Sequence, residues 1–245
     1  MTVTQPWAGL LVSVCDATEA VEALAGKAAI IDVKEPRRGP LGAADVAVAA
    51  EIASLVAARA PWTLACGELA DGVAAEHVRA AAALLPVGTP PPRAAKAGPA
   101  TLGLAAWRDH FAAFAAGLPD GVEPIAVAYA DWATARSPKP CDLVAAAASA
   151  GCRTLLIDTF DKAAIGVLAT APDLAGWIAQ ARAAGMAVAV AGRLAIGDLE
   201  RVAALGADVA AVRSAVCPAG RLGRVDRRLV ACAVASLTGH GAPPP

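Results

Sequence analysis

The stretch Ile30-Ile31-Asp32-Val33-Lys34-Glu35-Pro36 holds a lysine at the end of a short apolar run, two residues after an aspartate. Side chains alternate across a strand, so Asp32 and Lys34 share one face, and Pro36 ends the run. Charge on an inward face needs partners or a task. A lysine is a nucleophile only as the free amine, and partial burial or a neighbouring ammonium lowers its pKa enough for that form to exist near neutrality. Lys34 could then attack an aldehyde or ketone to form an imine. The iminium withdraws electrons, which acidifies the adjacent carbon and allows proton removal, aldol addition or β-elimination. Aspartates within ~3 Å would orient amines and carry protons.

The elements that must position this lysine alternate in type along the chain. Apolar runs read as strands at Leu10–Val14, Ala28–Val33, Trp62–Cys66, Arg93–Lys96, Pro124–Tyr129, Thr154–Asp158, Met186–Val190 and Val209–Val212. Helical patterns lie between them. Asp16, with Glu19 three residues on, predicts a capping box for a helix that stops at Gly26. Asp45, Asp142 and Asp226 are expected caps of later helices, the last running to Leu237. Leu102–Gly117 carries Trp107, Phe111 and Phe114 at helical spacing, which reads as core or interface. Two prolines and two glycines in Glu35–Gly42 predict a loop without regular structure, and Ala133–Pro140 reads as a polar turn. Pro90-Pro91-Pro92 argues against a regular strand at that point, yet Arg93–Lys96 falls where the fourth strand of a regular repeat belongs.

Units of about 30 residues match a βαβ motif. The 245 residues suit one closed α/β barrel, which takes about 250. The expected fold is therefore a single (β/α)8 TIM barrel over residues 1–245, with 241–245 a disordered tail. An open doubly wound sheet is the rival, but Ser13-Val14-Cys15-Asp16 lacks the glycine fingerprint that its nucleotide site would need.

In such a barrel the active site lies at the C-terminal strand ends. Reading those ends gives Asp32 and Lys34, then Glu68, Lys96, Asp131, Asp158 with Lys162, Arg193 and Arg213, an ionic set for a chain only 18% charged. The bland reading is a rim of mutually neutralising ion pairs, which suits any single pair; it suits Lys34 least. Ala191-Gly192-Arg193 and Arg213-Ser214-Ala215, with Gly220 and Gly223 nearby, resemble a phosphate clamp, so Gly192, Arg193, Arg213 and Ser214 are the expected phosphate ligands. A phosphorylated carbonyl compound is the preferred substrate.

No metal and no cofactor are expected. His77 and His110 fall in helices and His240 in the tail, and lysines beside the carboxylates argue against a cation in the same space. Cys66 stands at a strand end without a histidine to activate it. The six cysteines contain no C-x-x-C pair and read as reduced. The excess in the 57% hydrophobic content is alanine, and charge or proline interrupts every apolar run before the ~18 residues of a membrane span. Met1–Gly9 has no signal-peptide pattern, which favours the cytoplasm. Net charge near zero and scattered arginines leave no surface for nucleic acid. Helix faces bearing Trp107 or Trp177 could join copies into a homo-oligomer.

The blocks Leu10-Leu11-Val12-Ser13-Val14, Ile30–Pro36 and Gly39-Pro40-Leu41-Gly42-Ala43 resemble the (5-formylfuran-3-yl)methyl phosphate synthase family of methanofuran biosynthesis. The resemblance continues at Lys96-Ala97-Gly98, Ala128–Asp131, Leu156–Thr159 with Lys162, Ala191-Gly192, Val212–Cys217 and Gly223–Asp226. It implies a (β/α)8 barrel that converts two molecules of glyceraldehyde 3-phosphate into the furan aldehyde phosphate, releasing phosphate and water, without a cofactor. By motif it implies Lys34 as the Schiff-base lysine, Lys96 as acid/base, and Asp32, Asp158 and Lys162 in support. The residues alone leave open a class I-type aldolase or isomerase acting on one phosphorylated sugar, and a non-catalytic barrel that binds a phosphometabolite.

Overall fold

The computed structural model describes residues 7–239; His240 and the tail expected at 241–245 lie outside the described residues. The elements in chain order are β1 (Gly9–Val14), α1 (Ala17–Ala25), β2 (Ile30–Val33), α2 (Val46–Val56), β3 (Trp62–Glu68), α3 (Ala74–Ala83), β4 (Ala94–Gly98) and α4 (Leu104–Ala116). They continue with β5 (Glu123–Tyr129), α5 (Trp132–Ala135), α6 (Pro140–Ser149), β6 (Thr154–Asp158), α7 (Val167–Thr170), α8 (Leu174–Ala183), β7 (Ala187–Val190), α9 (Leu199–Ala204), β8 (Val209–Val212) and α10 (Arg227–Leu237). The eight strands are all parallel and close in sequence order, β8 pairing with β1.

Two apolar cores follow from the pleat. Leu10, Val12, Ile31, Val33, Leu155 and Ile157 face outward and pack under the helices, as expected of parallel strands covered on their outer side. Leu11, Ile30, Ala94, Val127, Leu156 and Ala211 alternate with them and fill the barrel. Counting in twos from the inner set brings Ser13 from Leu11, Asp32 and Lys34 from Ile30, Lys96 from Ala94 and Asp158 from Leu156 onto the inner face. The Lys34 amide donates to the Val14 carbonyl at 3.0 Å, so the ladder of β1 and β2 carries the lysine one residue past Val33.

Trp107 and Phe111 of α4 stack at 4.9 Å and are buried with Phe114. Trp177 is likewise buried within the chain. Among the described residues no helix is long and apolar enough to cross a membrane.

Local expectations are corrected in several places. The Asp16 side chain accepts from the Glu19 amide at 2.8 Å as a cap should, but Glu19 reaches back to the Cys15 amide at 2.9 Å, one residue before the capping-box position. Asp45 precedes α2 without capping it, because Arg38 Nη1 holds its carboxylate at 2.7 Å. Asp142 lies inside the first turn of α6, which starts at Pro140, a residue whose missing N–H is no loss there. The loop after Lys34 holds one 3-10 turn, Pro36–Arg38, and the Ala133–Pro140 segment begins within α5. That loop then folds back so that the Glu35 amide donates to Gly42 O at 2.8 Å. A Cβ at Gly42 would stand 2.7 Å from the Arg38 carbonyl carbon, so the return path needs glycine.

The seam between β8 and β1 is locked by a buried pair. Arg213 Nη1 and Nη2 donate to Glu19 Oε2 and Oε1 at 2.7 and 3.1 Å. The same guanidinium donates to Ser13 O at 3.0 Å, Arg221 O at 2.7 Å and Gly223 O at 3.1 Å. Removing one partner of such a pair strands the other charge away from water. Glu19→Gln should therefore cost ~3–5 kcal/mol of stability in urea unfolding; a loss below ~1 kcal/mol would place the seam's strength elsewhere.

Candidate active site

Register builds the first half of the site. Ser13 pairs with Asp32 across β1 and β2, and Asp32 with Thr63 across β2 and β3. Their side chains converge on one carboxylate: Ser13 Oγ donates to Asp32 Oδ2 at 2.9 Å, and Thr63 Oγ1 to Oδ1 at 2.7 Å. Lys96 reaches in from β4, its Nζ donating to Asp32 Oδ1 at 2.5 Å and to Thr63 Oγ1 at 3.1 Å. Burial alone would push the Asp32 carboxyl up, but Lys96 and Lys34 outweigh it and hold Asp32 below the usual carboxylate range.

The second half comes from β6. Lys162 Nζ donates to Asp158 Oδ1 at 2.5 Å, and the Thr159 amide donates to the same oxygen at 2.7 Å. Lys34 stands between the two pairs and belongs to neither. It is only 7% exposed, and its one hydrogen bond among the described residues is a long one, 3.5 Å to Pro40 O. Burial, reinforced by the Lys162 ammonium and by Arg221, lowers its pKa from 10.5 to about 7 against the opposing pull of Asp158 and Asp32. The uncharged form, which attacks a carbonyl, is thus accessible near neutrality.

Ser13, Asp32, Lys34, Lys96, Asp158 and Lys162 line one cavity of about 550 Å³, whose wall also carries Gly192, Arg193, Arg213, Ser214 and Arg221. Gly192 has φ 99°, and a Cβ there would lie 2.9 Å from Val167 Cβ and 3.0 Å from Thr159 Cγ2, so only glycine fits between those neighbours and the cavity it lines. Arg193 is exposed, and its Nη1 donates to Lys162 O at 2.8 Å. Ser214 opens a single 3-10 turn, Ser214–Val216. Arg213 lines the cavity with all three side-chain nitrogens already engaged by Glu19 and backbone carbonyls. The arginine that sequence reading passed over is Arg221, half-buried and donating from Nη2 to Pro36 O at 3.1 Å and Gly39 O at 2.7 Å. Its signal was present in Gly220-Arg221-Leu222-Gly223, where only the glycines were weighed.

Two strand-end acids stand outside the cavity lining. Asp131 accepts from the amides of Phe160 and Asp161 at 2.7 and 2.8 Å, which fixes the loop between Asp158 and Lys162. Glu68 accepts from Tyr129 Oη at 2.7 Å and from the Ala100 amide at 3.0 Å. Burial lifts its carboxyl above the usual range. A Cβ at Gly98 would overlap both Glu68 and Tyr129, so the glycine after Lys96-Ala97 makes room for that contact. Burial pushes the Cys66 thiol up to about 12, far from a thiolate at neutral pH. Among the described residues, Cys15, Asp16 and Glu19 bring metal-type donor atoms within 4.8 Å of one another. Arg213 occupies the Glu19 carboxylate, and burial lifts the Cys15 thiol to about 11, so the trio fits a cation poorly.

Comparison with known proteins bears on the fold and the family. Solved structures of similar shape include a dihydrodipicolinate synthase, with TM-score 0.64, 11% identity, and 95% of this chain and 77% of that one covered. Another is phosphoribosyl anthranilate isomerase of Thermus thermophilus, with TM-score 0.58, 16% identity, and coverage of 94% and 98%. At such identities the likeness concerns the barrel fold. Sequence relatives are nearer. The (5-formylfuran-3-yl)methyl phosphate synthase of Archaeoglobus fulgidus is 29% identical over 250 residues, covering 90% of this chain and 95% of its own. That of Methanopyrus kandleri is 32% identical over 217 residues, covering 86% and 90%. The family profile described as 4-HFC-P synthase matches residues 10–234, and with nearly the whole barrel inside that match the chain belongs to the (5-formylfuran-3-yl)methyl phosphate synthase family of methanofuran biosynthesis.

Proposed function

We propose that the cavity condenses two molecules of glyceraldehyde 3-phosphate into (5-formylfuran-3-yl)methyl phosphate through an imine on Lys34. The observation that carries this reading is the Lys34 amine itself, buried, outside both ion pairs and with a pKa of about 7. Its attack on the aldehyde carbon forms the C–N bond and releases the carbonyl oxygen as water. The iminium then draws electrons from the neighbouring C–H bond, and a basic group takes that proton. The enamine so formed can expel a β-phosphate or add to the second aldehyde. Over the whole conversion two triose phosphates become one furan phosphate, one inorganic phosphate and two waters.

Lys96, held by Asp32 and Thr63, is the proposed acid/base on one side of the imine. Lys162, held by Asp158, serves the other. Asp32 and Asp158 keep these amines oriented, and the Lys162 ammonium, with burial, favours the uncharged form of Lys34. Asp131 supports the set at one remove, through the loop that carries Lys162. The Gly192 backbone, with Arg193 and Ser214, is the proposed phosphate seat of the inner cavity. Arg213 would contribute there through the seam that it holds.

Borohydride added during turnover should leave a reduced triose adduct on the peptide containing Lys34; an adduct on another lysine, or none, would remove the imine from this position. Lys34→Arg should lower furan formation by at least ~10³-fold, since a guanidinium offers no neutral amine. Ultraviolet absorbance and free phosphate should rise together on incubation with glyceraldehyde 3-phosphate. Reversible cleavage without phosphate release would instead indicate an aldolase.

The pH dependence has a defined sign. Because the Lys34 pKa is about 7 in the fold and 10.5 as the ordinary value, single-turnover adduct formation should climb as pH rises through about 7. The unfolded chain binds the extra proton between those values, so the lysine penalises folding fully below about 7 and less as pH approaches 10.5. Lys34→Met should therefore raise the unfolding midpoint, by more at pH 6 than at pH 10; an equal or reversed difference would mean that the amine is not desolvated.

A further inference from the structure

A second chamber, of about 790 Å³ and open to the surface, lies against the inner cavity. The two share Lys162 and Arg221 in their walls, and the outer one adds Arg37, Gly39 and Thr134. Given the two-triose reading above, on which this inference rests, the site must seat two triose phosphates, one on Lys34 and one beside it. The glycine-lined wall at Gly192 offers room for one.

Arg221 is the side chain placed to take the other. Its Nη2 is engaged by Pro36 O and Gly39 O, while Nε and Nη1 have no hydrogen bond among the described residues. No carboxylate among the described residues lies within ion-pair distance of it, Asp158 and Glu35 acting on it only from farther off, whereas Arg213 has Glu19 and Arg37 has Glu35 at 3.8 Å. A half-buried guanidinium without a direct counter-ion is costly for the protein alone and favourable once an anion arrives. The free Nε–H and Nη1–H groups lie on different edges of the guanidinium, so they offer an anion a positive charge and single hydrogen bonds rather than a two-toothed fork. We infer that Arg221, at the boundary of the two chambers, binds the phosphate of the second triose phosphate and holds that molecule's aldehyde toward the adduct on Lys34.

The competing role is mechanical. Arg221 ties down the Pro36–Gly39 loop, whose next residue, Pro40, lies over the Lys34 amine. Arg221→Ala and Arg221→Lys separate the two roles, because lysine can restore a charge but not the two-carbonyl bridge. At about pH 9, where loss of the Arg221 charge changes the protonation of Lys34 least, the Lys34 adduct in the alanine variant should form at a rate within about twofold of wild type. The triose phosphate concentration giving half-maximal furan formation should rise about tenfold or more, and Arg221→Lys should recover most of it. Adduct formation falling in step with turnover, or no recovery by lysine, would assign Arg221 to the loop and overturn the inference. Unchanged furan kinetics in the alanine variant would overturn it too. Calorimetric titration with inorganic phosphate tests the seat without the imine: two sites are expected in wild type and one in Arg221→Ala. The same number in both would overturn the assignment. Failure of the imine itself would show instead as a wild type lacking the Lys34 adduct.

Discussion

Desolvation of the Lys34 amine is the constraint around which the barrel mouth is arranged. Three lysines enter this space, and a buried ammonium is tolerated only with a partner. Asp32 takes Lys96 and Asp158 takes Lys162, each at 2.5 Å, and both carboxylates draw further support from hydroxyl or amide donors. The lysine left over has a carbonyl for company, so the low-energy way to bury it is without its proton. The ion pairs thus do more than neutralise one another: by saturating both carboxylates they determine which amine stays uncharged.

The barrel makes this division possible because neighbouring strands fix neighbouring side chains. Ser13, Asp32 and Thr63 come from three successive strands and meet only because the register sets them side by side. Period-two alternation then puts Lys34 one step nearer the mouth than Asp32, on the same inner face. A slip of one residue in β2 would turn both outward among the helices. The Arg213–Glu19 pair, which joins the last strand to the helix after the first, helps to hold that register at the seam.

Much of this was legible in the sequence because it depends on local period. The eight strands, the inward set at Asp32, Lys34, Lys96 and Asp158, and the caps at Asp16 and Asp226 follow from alternation, apolarity and cap chemistry within a few residues. Features that depend on distant partners were not. A strand-end arginine looks like a phosphate ligand until its carboxylate is found, and the partner of Arg213 lies 194 residues away. Asp45 has the right position for a cap, but Arg38 takes its carboxylate. Asp131 ends its strand as a catalytic acid might, yet two amides of the β6 loop engage both its oxygens. Arg221 has a local signal in its flanking glycines, but its place at the cavity depends on Pro36 and Gly39, 185 and 182 residues away.

The roof over Lys34 is fastened by carbonyls: Gly42 O to the Glu35 amide, and Pro36 O and Gly39 O to Arg221. Neither a peptide oxygen nor a guanidinium changes charge across the physiological range. These fastenings therefore hold as acidity varies, while two further ties in the same loop, the Arg37 amide to Glu35 Oε1 and Arg38 Nη1 to Asp45 Oδ1, rest on carboxylates. Access to Lys34 is thus fastened in the main by groups that do not titrate, whereas its reactivity turns on one that does.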